Sequence, residues 1–197
     1  MSTFADDNIL IERAKKGDRE ALDQLIRKYE KRAYQYSFRL TQNSDEASDV
    51  VGDAFVRVYS AINNFKGNSA FTTWLYRILT NCFLDHRKKE RSRQTTSLES
   101  VLQTDDGDLE RQFESPDATP DETAERNERE RAVEGAVASL PEYQKAMVTL
   151  YHAEMLSYEE IAETLDLPIG TVKSRLNRAR LSLREILIRD EELFDLS

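Results

Sequence analysis

The chain has 197 residues, 39% of them hydrophobic, and a formal net charge of −9, enough for one larger or two small domains with modest cores. Its single cysteine, Cys82, excludes an internal disulfide and fits a reducing cytoplasm. No stretch approaches the apolar run needed to cross a bilayer, and MSTFADDNIL does not read as a signal peptide.

Proline and glycine are few, alternating apolar-polar strand patterns are rare, and helical periodicity runs along most of the chain. Over residues 6–42, Asp6 or Asp7 is expected to cap a first helix carrying Ile9, Leu10, Ile11 and Ala14. Gly17 and Asp18 end that helix and cap the next. There Leu22, Leu25, Ile26, Tyr29, Ala33, Tyr36 and Leu40 recur at threes and fours. Tyr29, Tyr34, Tyr36 and Phe38 are read as core rather than as stacking groups for nucleic acid, because aromatics at helical spacing usually pack inward.

Asn43 and Ser44 cap a third helix, from Asp45 to about Ala61, with Val50, Val51, Ala54, Phe55 and Val58 facing inward. Asp45, Glu46, Asp49 and Asp53 form an acidic stripe: plain solvated surface, or a docking surface for a basic partner. Gly52 interrupts this helix at a cost of about 1 kcal/mol relative to Ala, which a close packing partner would explain. A polar loop, Lys66-Gly-Asn-Ser69, precedes a helix expected from about Phe71 to Arg91. Its apolar stripe is Phe71, Trp74, Leu75, Ile78, Leu79, Cys82 and Phe83, and it ends in Arg87, Lys88, Lys89, Arg91 and Arg93. An aromatic-rich helix between a polar loop and a basic tail suits single-stranded DNA, although cations also suit a helix C-terminus. Cys82 and His86 are four residues apart, but two ligands do not make a zinc site. No phosphate loop, catalytic triad or metal set appears, so neither an enzyme nor a cofactor is expected.

Charge is divided unevenly. Residues 1–93 hold 17 basic and 13 acidic residues, residues 94–130 hold 3 and 12, and residues 131–197 hold 8 and 12. The middle segment, with Asp105-Asp-Gly-Asp108 and Ser115-Pro-Asp-Ala-Thr-Pro-Asp-Glu122, reads as an acidic linker, disordered or extended when free. Helical periodicity resumes from Glu128 through Leu140, and Pro141-Glu142 opens a further helix through Tyr151.

The most informative stretch is Met155 to Arg180. Ser157 and Glu160 make a capping box ahead of Ile161, Ala162 and Leu165, and Pro168 forces a turn near Asp166. Val172, Leu176, Ala179 and Leu183 then share one stripe, while five cations and no acid lie between Thr171 and Arg184. A charged face is often merely solvated. This one has a single sign and interleaves Ser174 and Asn177, which suit base edges. The pattern describes a helix-turn-helix whose second helix enters the DNA major groove. The tail after Ile188 is acidic, and its last residues, 191–197, are expected to fray.

Two stretches together resemble the bacterial sigma-70 class of RNA polymerase sigma factors, in the compact extracytoplasmic-function group. One is SDVVGDAFVRVYSA (48–61) with FKGNSAFTTWLYRI (65–78). The other is LPE (140–142) with LSYEEIAETL (156–165) and PIGTVKSRLNRAR (168–180). The resemblance implies an all-α chain of two small helical domains joined by a flexible acidic linker. Residues 1–93 would bind core polymerase and open the −10 element, 94–130 would thread toward the RNA exit path, and 131–190 would read the −35 element.

Asn81 matches the position that takes a flipped −10 base, with Lys66, Gly67, Asn68, Ser69 and Ala70 closing over it. Phe71, Trp74, Arg77, Arg87 and Lys88 complete the implied −10 set, and Asp49, Val50, Gly52, Asp53 and Phe55 the implied polymerase contact. The implied −35 set is Tyr158, Glu159, Thr171, Lys173, Ser174, Arg175, Asn177 and Arg178. Implied partners are core RNA polymerase through its β and β′ subunits, promoter DNA and an anti-sigma factor. The chain departs from the family at Gly52, where Gln is usual, and at Tyr151, where a basic phosphate contact is frequent; Asn177 lies at a variable position. The competing readings are a stand-alone helix-turn-helix regulator and a protein-interaction bundle.

Overall fold

The computed structural model describes residues 3–97 and 132–189, and these are helical apart from short connections, with no strand among them. The expected acidic linker and C-terminal tail fall almost wholly outside the described residues. The first group of helices is α1 (Thr3–Lys15), α2 (Arg19–Thr41), α3 (Ser44–Ala61) and α4 (Phe71–Ser97), with one 3-10 turn at Ile62–Asn64. The second group is α5 (132–138), α6 (Glu142–Val148), α7 (Tyr158–Leu165) and α8 (Ile169–Arg189).

Helix boundaries follow local chemistry. Asp18 caps α2 by accepting from the Ala21 amide at 3.2 Å, and Asn43 caps α3 by accepting from the amides of Asp45 and Glu46. Both carboxamide and carboxylate oxygens thereby satisfy first-turn N–H groups that have no helical partner. The expectation for α1 is corrected: the helix begins at Thr3, so Asp6 and Asp7 lie inside it. Asp7 is buried and accepts from Lys28 and from the Tyr29 hydroxyl on α2. A buried carboxylate needs such partners, so Asp7 ties two helices together instead of capping one. The fourth helix also runs on past its expected end near Arg91.

The predicted stripes supply the core. Leu25, Ala33, Tyr36 and Leu40 of α2 meet Ala54 and Val58 of α3 and Leu79, Cys82 and Phe83 of α4, all 0% exposed. Each large apolar side chain buried this way contributes about 1.5–3 kcal/mol. Tyr29 and Tyr36 are core residues, as their spacing predicts. Cys82 lies within this packing, and burial pushes its thiol up to about 11, so it behaves as a small apolar group. In the second group, α6 passes without a break into a π-helical turn at Thr149–Ala153, and α7 and α8 fold back over it. The two groups pack on one another: α7 lies against α4, and α6 touches both α2 and α4. Their buried side chains form one continuous cluster.

Candidate nucleic-acid and polymerase interfaces

The helix-turn-helix is built as its sequence requires. The Ser157 hydroxyl accepts from the Glu160 amide at 3.2 Å, and the Glu160 carboxylate accepts from the Ser157 amide at 2.8 Å. The turn hinges on Asp166, which adopts the left-handed conformation with φ 54°. That conformation strains most side chains, but Asp tolerates it. Helix α8 then begins at Ile169, directly after Pro168. Ile161, Leu165, Val172, Leu176 and Ala179 are buried and hold α8 against α7 and α6.

Across the opposite face, Lys173, Ser174, Arg175, Asn177 and Arg178 are exposed, and Thr171 is half-buried. Among the described residues no acid lies within ion-pair distance of Lys173, Arg175 or Arg178. Lys173 sits over the ring of Tyr158, Arg175 over Tyr143 and Arg180 over Tyr151. Aromatic faces steady these cations without neutralising them. Tyr158 stacks on Tyr151 with centroids 5.3 Å apart, and Glu159 is exposed one residue on.

The second candidate surface runs along α4. Trp74, Arg77, Asn81 and Lys88 are spaced by three, four and seven, which puts them on one stripe of the helix. Asn81 and Lys88 are exposed and Arg77 is half-buried. Trp74 is wedged against Phe65 and Phe71, with centroids 5.2 Å and 5.6 Å away. The loop before the helix turns on Gly67, whose φ of +72° favours glycine, and leaves Lys66, Gly67 and Asn68 exposed and Ser69 and Ala70 half-buried. One expected contact is corrected: Phe71 is 4% exposed and packs on Tyr29 and Phe65, so it supports the loop from beneath. Arg87 is largely engaged, reaching Glu46 at 2.9 Å and Glu90 at 2.8 Å.

On α3, Asp49, Gly52, Asp53 and Val56 make an exposed stripe. Val50 is buried and cannot meet a partner without unpacking the helix, which corrects its place among the expected polymerase contacts; Phe55 is half-buried. A close packing partner would explain Gly52, but among the described residues a Cβ there would meet nothing within 4 Å. His86 bonds Asp53 at 2.8 Å and holds its carboxyl below the usual range. The His86 ring is therefore engaged across to α3.

A cluster absent from the sequence expectations lies where the two groups meet. Glu154, just after the π turn, is buried. Its carboxylate accepts from Arg32 at 3.3 Å, from Arg39 at 2.9 Å and from the Tyr76 hydroxyl. Burial and the adjacent carboxylate both push the Tyr76 phenol up, so it stays a donor. Arg77 reaches Asp166 at 3.3 Å, and Arg91 reaches Glu142. Glu154 is separated from its partners by 78 to 122 positions, so no local pattern could reveal it.

Known proteins resemble both helical groups. Residues 25–93 match the model of sigma-70 region 2, and residues 130–183 match that of sigma-70 region 4. The chain is 36% identical over 192 residues to the RNA polymerase sigma-H factor of Pseudomonas aeruginosa, covering 95% of this chain and 96% of that protein. It is 33% identical over 177 residues to the ECF RNA polymerase sigma factor SigW of Bacillus subtilis, covering 90% and 94%. A solved structure of the sigma factor RpoE of Bartonella quintana, in complex with the anti-sigma factor NepR, aligns with a TM-score of 0.64 at 26% identity, over 84% of this chain and 95% of that one. The two matched regions lie in order and coincide with the two helical groups, and the chain therefore belongs to the sigma-70 family of RNA polymerase sigma factors, transcription initiation factors, in its extracytoplasmic-function group.

Proposed function

We propose that this sigma factor grips a promoter at two points in the cytoplasm, reading a duplex −35 element with α8 and trapping an unpaired −10 base with α4. Arg178, Lys173, Ser174, Arg175 and Asn177 face the major groove, with Thr171, Tyr158 and Glu159 at the edge of the contact. Arg pairs bidentately with guanine, and hydroxyl and carboxamide groups suit other base edges. Asn81 receives the flipped base, whose edge is readable only once it leaves the stack. Lys66 to Ala70 close over it, with Trp74 as a wall and Arg77 and Lys88 along the strand. Melting needs no ATP, because binding energy traps the open strand. Asp49, Asp53 and the Gly52–Val56 surface dock on a basic partner surface of core polymerase through the β′ subunit. Residues 1–93 and 131–190 serve as the two working modules, and residues 94–130 span the distance between them through the polymerase, past β. An anti-sigma factor is the natural regulator, since the Bartonella quintana relative is seen bound to one.

The observation that carries this reading is the stripe Trp74–Arg77–Asn81–Lys88 beside an exposed polar loop. A stand-alone helix-turn-helix regulator has no use for it. Asn81→Ala tests the assignment: core polymerase binding should persist, while permanganate reactivity of −10 thymines should fall. Normal reactivity at those thymines would refute the role of Asn81.

A further inference from the structure

Lys145 lies on α6 and is only 7% exposed. Its backbone amide donates to the Pro141 carbonyl at 2.9 Å, but among the described residues its ammonium meets no hydrogen-bond or ion-pair partner. A buried charge left in that state is costly. Burial, and then the nearby Arg87, hold the ammonium below the ordinary lysine value; Glu142 and Glu46 oppose them only from beyond bonding distance. Packing alone gives no reason for a cation here, since an apolar side chain of similar length would fill the space without that penalty.

The side chain lines a cleft of about 590 Å³ between the end of α4 and the turn from α5 to α6. Small-molecule sites span about 300–1,000 Å³. Arg87, Glu90 and Arg91 line the cleft from α4, and Glu142 lines it beside Lys145. Both carboxylates are already matched: Glu90 bonds Arg87 at 2.8 Å, and Glu142 bonds Arg91. Arg87 is further held by Glu46 at 2.9 Å and lies over the Phe83 ring. Of the cleft's cations, Lys145 is therefore the one left without a counter-charge among the described residues.

We propose that this cleft binds the terminal phosphate of a small phosphorylated molecule, with Lys145 as the buried counter-charge and Arg91 at the mouth. An ammonium serves phosphate as a point charge and a guanidinium as a fork of donors. The Arg91 side chain is 69% exposed, so it can meet the ligand as it enters. A terminal phosphate carries nearly two charges at neutral pH and can reach a buried ammonium. A backbone phosphodiester carries one and is flanked by two sugars. Neither Lys145 nor Arg91 belongs to the surfaces proposed to meet promoter DNA, so the site adds a ligand to that reading.

The test follows thermal unfolding of the full chain in inorganic phosphate against chloride at matched ionic strength. A ligand that binds only the folded chain stabilises it by mass action. Phosphate also strengthens burial generally, so the response counts only where wild type exceeds Lys145→Met, which keeps the length and removes the charge. Saturating phosphate should raise the wild-type melting temperature by about 2–4 °C more than that of Lys145→Met. Lys145→Met should melt higher than wild type without phosphate, and Lys145→Arg should keep the response. Arg91→Gln, at an exposed position, should lose most of it, because Glu142 is then free to pair with Lys145. Broadening of the phosphorus NMR signal of phosphate by wild type, and not by Lys145→Met, reads binding directly. A single-stranded oligodeoxynucleotide without terminal phosphates should leave that broadening unchanged; displacement would assign the site to the DNA backbone and overturn the small-molecule assignment. An equal thermal response in wild type and Lys145→Met would overturn the site itself.

Discussion

The two basic faces of this protein are held in opposite states. On α8, Lys173, Arg175 and Arg178 point outward with no acid beside them among the described residues, and aromatic rings steady Lys173 and Arg175. On α2 and α4, Arg32, Arg39 and Arg77 are each met by a carboxylate of the other module. The same residue type therefore does different things by context. An unneutralised cation on a rigid helix is ready to steer toward and dock on phosphate. A paired and partly buried one must first lose its partner, and breaking that pair leaves charge uncompensated. The face proposed to read duplex DNA therefore carries unpaired cations, and the face proposed to trap the −10 strand carries paired ones.

The comparison can be broken most severely through the scaffold of α8. Leu176 is 0% exposed beneath the basic face. Leu176→Ala should cost about 2–5 kcal/mol and lower the melting temperature of the second module, with −35 binding lost as a consequence of unfolding. Arg178→Ala separates reading from folding. It should weaken discrimination of the −35 sequence by about 1–3 kcal/mol with an unchanged melting curve; unaltered −35 preference in a promoter-competition assay would remove Arg178 from the reader. Ser157→Ala deletes the hydroxyl that accepts from Glu160. The loss should be about 1 kcal/mol of stability, seen in denaturant unfolding, without altered sequence preference.

The smallest expected effect is titration of His152. Burial, and then the neighbouring Arg180, hold its imidazole below the ordinary histidine value, and its ring nitrogen accepts from Arg180 at 3.4 Å. The unfolded chain then takes up a proton more readily than the folded one as pH falls through the histidine range, so stability is lost on the acid side of neutrality. His152→Gln should flatten that part of the melting-temperature profile, and a profile identical to wild type would show that this contact does not report on folding.

Helix type, the cap residues Asp18, Asn43 and Ser157, and the buried stripes were legible because each depends on neighbours within a turn or two of helix. The same holds for the exposed face of α8, whose single sign of charge is written in one short stretch. Asp7 was misread because its partners Lys28 and Tyr29 lie on another helix, and a carboxylate near a helix start looks like a cap from sequence alone. The resemblance puts Val50 and Phe71 at contact surfaces while helical spacing puts both on inward stripes, and the packing of α3 and α4 follows the spacing. The sequence shows no packing partner for Gly52, and the described residues leave open space beside it. The Glu154 cradle had no legible signal, because packing of two modules distant in sequence creates it.

Run-off transcription with purified core RNA polymerase tests the account most directly. On a template carrying both promoter elements, the wild-type chain should yield a transcript of one defined length, and scrambling either element should abolish it. Polymerase that binds the chain yet gives no promoter-dependent transcript, or transcription that survives loss of the −10 element, would contradict the two-point grip.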